Sequence, residues 1–327
     1  AWRHVATTTA AAITTTQRGL LRRRAPPAVN PRRLPATAAA TAALAYASTL
    51  FPEFDKGYAA RMLNAARKGW EYLEAHPQQI NITENCTGYQ DADDNHARFF
   101  AAAALFLATG EDKYHQYFLR NDPSSGWFSD YNNQTNLAYY LYIKSSKGDP
   151  KKQSDYRNLL VSRAEGGNNE RDGHPFGFVG SYYWGALSNA FGRVSNYNIV
   201  DWRLNQNENS MFTAIQQLHY TFGQNSLNFV YFSGFGENGM KQGFHHWLKA
   251  LNATPRNFPG LLAGGPNQNP DPSERNMENT YNKPADTPMD QRYTDNDSWS
   301  TNEIAVNQNA HLTYVLCAAW AYAKGKK

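Results

Sequence analysis

Between residues 57 and 76 the apolar side chains Met62, Ala65, Trp70 and Leu73 recur at helical spacing among charged residues, so one face of a helix is dry and the other wet. Residues 95–109 predict a second helix. Asp93 and Asp94 precede its first turn, where acids favour a helix start, and Gly110 stands just past its end. The Ala-rich stretch 35–48 and the segments 112–120, 135–145, 181–192, 208–222 and 303–323 predict further helices. No convincing run of alternating apolar and polar positions predicts a sheet. Helices joined by long polar loops point to an all-α array, an α-toroid, with its chemistry on the loops. The connection 252–298 is far longer than an ordinary loop, is rich in turn residues, and reads as functional.

Composition sharpens this picture. The 327 residues are 41% hydrophobic and 14% aromatic, enough for a substantial core. The net charge of +4 is concentrated at one end, where Arg3, Arg18, Arg22, Arg23, Arg24, Arg32 and Arg33 lie and no acid comes before Glu53. Without those seven, residues 36–327 carry −3. A mildly acidic body without a basic stripe argues against nucleic acid as a partner. The longest uninterrupted apolar run, 99–108, is too short to cross a membrane, so no membrane partner is expected. Residues 1–35 are low in complexity and show neither the compact apolar segment of a secretory signal nor the serines of a transit peptide. They read as a leader without a fold of its own, a fragment or mis-joined gene end, leaving 36–327 as the folding unit. Cys86 and Cys317 are too few for a disulfide framework or a four-cysteine zinc site, and the sequence leaves open whether they pair.

Candidate chemistry gathers in D-Q-R-Y-T-D-N-D-S-W-S-T-N-E-I-A-V-N-Q-N-A, residues 290–310. Ser300 and Glu303 have the spacing of a capping box, and Trp299 with Ile304 would complete a hydrophobic staple. The same glutamate could serve as a proton donor. The two roles pull in opposite directions: a helix N-terminus favours the carboxylate, whereas a general acid must hold its proton. Asp295 and Asp297 could supply the like charge that favours the protonated form. Local physics leaves both roles open.

More distant segments extend the pattern. F-S-G-F-G-E-N-G-M-K-Q-G-F-H-H-W (232–247), P-G-L-L-A-G-G-P-N (259–267) and Y-T-D…N-E-I-A…N-A (293–310) follow in that order. Upstream lie Y-Q-D-A-D-D-N-H-A-R-F-F (89–100) and Y-Y-W-G-A-L-S-N (182–189). From about residue 36 to the end this resembles glycoside hydrolase family 9, the inverting cellulases. The resemblance implies an (α/α)6 barrel, incomplete at its N-terminal side, with an open cleft for a β-1,4-glucan. It implies three catalytic residues, Glu303 as the general acid, Asp295 as the Asp preceding it and His245, which meets sugar near the point of cleavage, with His246 beside it as a substrate-binding residue. Trp184, Trp247 and Trp299 become candidate platforms for the apolar faces of glucose, each also suited to core packing. No cofactor is implied. Family members often carry structural calcium, for which no ligand set can be matched here.

The sequence also departs from the family. No D-A-G-D, the family's base motif, occurs, and Asp91 and Asp94 read as helix-start acids rather than as the base. Trp247 replaces the arginine of H-H-R, Gln308 replaces the aromatic before N-A, and the stretch between Asp295 and Trp299 is one residue short. The resemblance therefore carries three readings. One is an endo-acting β-1,4-glucanase; another is an exo-acting relative that releases cellobiose or single sugars. The third is a carbohydrate-binding remnant that lacks its base. A cellulase acts outside the cell, and sequons at Asn81, Asn85, Asn133, Asn252 and Asn296 agree weakly with secretion. Asn296, inside the signature, is expected to stay unmodified.

Overall fold

A computed structural model describes residues 34–77, 94–130, 133–246, 250, 258–274, 284 and 286–325. The expected leader lies outside them except for Leu34 and Pro35, which open the first helix. Helices follow one another as α1 (Leu34–Leu50), α2 (Lys56–Ala75), α3 (Asn95–Thr109), α4 (Asp112–Arg120), α5 (Thr135–Lys144) and α6 (Pro150–Gly173). Then come α7 (Ala186–Asn189), a π-helical turn (Ala190–Ser195), α8 (Asn196–Asn205), α9 (Glu208–Thr221), α10 (Trp299–Asn302) and α11 (Val306–Ala323). Among the described residues β structure is confined to isolated bridges. The fold is all-α, of the expected (α/α)6 toroid class.

Local chemistry sets most boundaries. Asp55 accepts the Tyr58 N–H at 2.7 Å to cap α2, and Asp149 accepts the Lys152 N–H at 2.8 Å to cap α6, with Pro150 in its first turn. Gly110 ends α3 in the left-handed region (φ 64°), where its N–H reaches the Phe106 carbonyl at 2.8 Å. Helix α3 is buried without interruption from Ala97 to Phe106, as expected of a helix with neighbours on every side. It packs against α1, α4 and α5. In this first core Trp70 stands edge-on to Tyr114 and Tyr117, and Phe99 stacks on Phe118; each such ring withdraws about 150–250 Å² from water. A second core gathers Phe178, Leu187, Phe191, Trp202, Met211, Tyr220, Tyr231, Leu262, Leu312 and Val315 beneath the loops that carry the candidate chemistry.

Three expectations need correction. The predicted helix 181–192 begins only at Ala186, because Gly180 and Gly185 both take positive φ (86° and 62°) and turn the chain first. The predicted helix 303–323 begins at Val306. By length and composition Leu34–Glu53 could cross a bilayer, which counting only uninterrupted apolar residues passed over; one of its faces, from Leu34 through Ala38, Ala42 and Ala45 to Ser48, is buried in the protein. Helix α11 buries only Gln308, His311, Leu312 and Val315, leaving Val306 90% and Trp320 58% exposed.

Candidate active site

The short helix α10 delivers Glu303. Its first turn is capped, but not by Ser300 and Glu303. The buried carboxylate of Glu274, at the end of a 3-10 turn (Pro272–Glu274), accepts the Ser298 hydroxyl at 2.9 Å and the Trp299 N–H at 2.8 Å, with the Ser300 N–H at 3.4 Å. The capping-box reading of Glu303 is thereby overturned, and with it the staple: Trp299 is the helix's first residue, and its ring meets Phe244 with centroids 5.6 Å apart. Glu303 ends α10 in an extended conformation (φ −57°, ψ 133°), half-buried. A remote carboxylate supplies this cap because the helix starts at Trp299, so that Glu303 follows its last residue rather than sitting in its first turn.

That pairing is with Phe244, across a parallel bridge. The Phe244 N–H donates to the Asn302 carbonyl at 2.8 Å, and the Ile304 N–H returns to the Phe244 carbonyl at 3.2 Å. His245 and His246, both exposed, follow directly, and the His246 ring lies edge-on to Phe244 at 5.2 Å. Asp295 fixes the register. Its carboxylate accepts the Lys241 N–H (2.8 Å), the Gln242 N–H (3.0 Å) and the Asn302 side-chain amide (3.1 Å), while that amide also donates to the Gln242 carbonyl (3.0 Å). Burial pushes the Asp295 carboxyl above its usual range, and the hydrogen bonds from Lys241, Gln242 and Asn302 offset part of the rise.

A layer of glycine joins this segment to the Trp184 loop. A Cβ on Gly264 would stand 3.1 Å from the Thr301 carbonyl oxygen, tighter than most contacts permit. Gly265 takes φ +94° and donates its N–H to Thr301 at 2.9 Å, while the Gly264 carbonyl accepts the Leu187 N–H at 3.1 Å. Asn267, fully buried, donates from its amide to the Ser300 carbonyl at 2.9 Å. Half-buried Trp184 is therefore carried on backbone adjoining the Glu303 segment. Beneath that loop, His174 Nδ1 accepts the N–H groups of Phe176 and Phe178, so its proton sits on Nε2 and reaches the Tyr182 hydroxyl at 2.8 Å. Farther along α11, His311 exchanges hydrogen bonds with Ser129 (3.0 Å) and Ser188 (2.9 Å), tying the helix that follows Glu303 to the one that follows Trp184. Burial pushes both imidazoles below 6.5.

Of the expected site residues, Glu303, Asp295, His245, His246 and Trp299 come together around this pairing, and Trp184 adjoins it through the glycine layer. Trp247 and Asp91 lie outside the described residues. Asp94 precedes α3 as expected and pairs with Arg98 (Nε–Oδ2 2.5 Å), whose other nitrogens bind the Leu73 and His76 carbonyls. Glu274 and Asn267 were missed as supports of this helix; Glu274 is encoded only at the end of a D-P-S-E run 24 or more residues upstream of its partners, and Asn267 33 residues upstream of Ser300. Two sequons are engaged in the fold. Asn133 Oδ1 accepts the Trp127 and Thr135 N–H groups, and Asn296 Oδ1 accepts the N–H of fully buried Ser298. Cys317 is free and exposed; Cys86 lies outside the described residues. Among the described residues no group of three or more His, Cys, Asp or Glu side chains forms a metal cage, so the calcium expectation gains no ligands.

The described residues thus set a carboxylic acid at the end of a short helix, beside paired histidines and the Phe244 and Trp299 rings, on an all-helical fold. The sequence profile of Glycosyl hydrolase family 9 matches residues 10–316, and the chain belongs to that family. Endoglucanase D of Acetivibrio thermocellus is 26% identical over 301 residues, covering 86% of this chain and 43% of that protein. A cellulose 1,4-beta-cellobiosidase of the same organism is 29% identical over 87% of this chain and 36% of its own length. The crystal structure of a metagenome-derived glycoside hydrolase family 9 endoglucanase superposes with a TM-score of 0.74 at 29% identity, covering 88% of this chain and 52% of that one. The chain thus spans about half the length of its structural relative and less of the curated ones.

Proposed function

We propose that the protein hydrolyses β-1,4-glucosidic bonds in cellulose or a related β-glucan, with Glu303 as general acid. The observation that carries this reading is the placement of Glu303, half-buried at the end of α10, on backbone paired with the segment that presents His245 and His246. The Glu303 carboxyl gives its proton to the glycosidic oxygen as the bond to the anomeric carbon breaks. Water enters from the opposite face and yields its proton to a carboxylate base about 6.5–9.5 Å from the acid, which inverts the anomeric configuration. His245 and His246 hold sugar hydroxyls at the point of cleavage, and Trp184 and Trp299 offer rings for stacking. The base is not assigned to any residue here. A β-glucan is outside the cell, so the enzyme acts as a secreted protein.

One observation favours a second reading. The sequence contains no D-A-G-D, so a chain that binds glucan through the same groups without cleaving it is the alternative. Release of reducing ends from soluble cellulose, with the product anomer followed by NMR, tests both. Hydrolysis with inversion, abolished in Glu303→Gln, is the expected result. Undiminished turnover in Glu303→Gln would remove the acid assignment, and cello-oligosaccharide binding without any hydrolysis would favour the second reading. Endo and exo action separate on whether solution viscosity falls faster than reducing ends appear.

A further inference from the structure

Glu274 has no role in the reaction scheme above, yet it is fully buried and lies at the root of the element that carries Glu303. Its two carboxylate oxygens take donors from Ser298, Trp299 and Ser300, the whole first turn of a helix only four residues long. The turn that supplies Glu274 is locked in return. Asp271 accepts the Ser273 N–H and hydroxyl, and the Asp271 N–H donates to the Ser300 hydroxyl at 2.8 Å. A four-residue helix cannot hold itself by its own backbone bonds, since nucleating a turn costs more than one turn returns. Its place must come from outside, and Glu274 is the side chain that supplies it at the N-terminal end, as Asp295 and Phe244 supply it at the other.

We propose that Glu274 is a positioning residue for the reaction, setting where the Glu303 carboxyl stands by fixing the start of α10; this rests on the reading of Glu303 as the acid. A displaced acid harms only bonds whose leaving group needs a proton. The test compares wild type, Glu274→Ala, Glu274→Gln and Glu303→Gln on a cello-oligosaccharide and on 2,4-dinitrophenyl β-cellobioside, whose leaving group departs without protonation. Glu274→Ala is expected to lower kcat on the oligosaccharide by about 100-fold with KM little changed, while sparing the aryl glycoside. Glu274→Gln, which keeps one acceptor oxygen, should recover most of that loss. Equal losses on both substrates mark a general structural defect and overturn the proposal. Undiminished oligosaccharide turnover in Glu303→Gln overturns the acid assignment itself. Independently of turnover, the crystal structure of Glu274→Gln or Glu274→Ala should place Glu303 more than about 0.5 Å from its wild-type position in at least the alanine variant. An unmoved Glu303 in Glu274→Ala, or in Glu274→Gln should the alanine variant fail to fold while the glutamine variant loses activity, overturns the proposal.

Discussion

Asp295 separates a catalytic carboxylate from a structural one, and the structure sets the size of the difference. In Asp295→Asn the single carbonyl oxygen can stay where Oδ1 now accepts the Gln242 N–H and the Asn302 amide. The new NH2 then faces the Lys241 N–H, donor against donor. Lys241 is exposed, so water can satisfy that group, and the cost stays at about 1 kcal/mol, the low end for a lost partner. In Asp295→Ala all three donors lose their acceptor. Asn302 is fully buried and Gln242 partly so, and at about 1–3 kcal/mol for each of these two unsatisfied donors the loss is about 2–6 kcal/mol. Urea denaturation of the three proteins reads these values directly. Activity on soluble cellulose should follow the same order, Asn milder than Ala, because the pairing of Phe244 with Glu303 loosens in proportion. Were Asp295 the base, the amide would abolish turnover as completely as alanine does. Equal inactivation by both variants, with Asn still stable, would refute a purely structural role for these hydrogen bonds and point to the carboxylate as a catalytic group.

Three further outcomes follow from single contacts. Arg98→Ala strands the buried Asp94 carboxylate and frees the Leu73 and His76 carbonyls; a loss of about 3–5 kcal/mol is expected in urea melts, and a loss below about 1 kcal/mol would sink the account. The neighbouring glycines of α6 should respond with opposite sign. Gly166→Ala meets nothing within 4 Å and should gain about 0.5–1 kcal/mol, whereas a Cβ on Gly167 would stand 2.7 Å from Val194 and 2.8 Å from Asn198 and should cost about 1–3 kcal/mol. Because burial lowers the His311 pKa, the unfolded chain takes up a proton that the folded chain refuses. The stability this confers is complete above the unfolded value of about 6.5 and is lost as the pH falls below it. The difference in urea midpoint between pH 7.5 and pH 5.5 should therefore shrink in His311→Gln, and an unchanged difference would contradict the buried neutral imidazole.

Much of the helical frame was legible because its faces are apolar and its ends carry local signals. Asn95–Thr109 is read to the residue, with its apolar run closed by Gly110. Helix α6, the longest, was not read. Its buried side passes from Tyr156, Leu160 and Ala164 into Gly167, Asn168 and Arg171, and the last two bind α9 through Ser210, Thr213 and Asn209 rather than through hydrocarbon. A polar helix interface leaves no hydrophobic periodicity to find, though Asp149 and Pro150 did mark its start. The candidate site was legible as residue types and opaque as geometry. The spacing of Ser300 and Glu303 satisfies a capping box, but which carboxylate caps α10 is decided by a partner 24 to 26 residues upstream and by a strand-like pairing 59 residues back.

The distinction has a physical root. Apolar burial is non-directional, so a helix in the core tolerates small shifts, and its position is an average over many contacts. A proton donor has to stand within hydrogen-bond reach of one oxygen. Around Glu303 the positional constraint comes from directional bonds made by Glu274, Asn267, Asp295 and Asn302, each buried or partly buried and each drawn from a different turn of the chain. Such a network depends on every donor finding its acceptor, because a half-satisfied one is costlier than none. The long connection between residues 252 and 298 is therefore long for a reason visible in its described parts: it has to bring the glycine layer, the Asn267 amide and the Glu274 carboxylate to one short helix before the chain can present its acid.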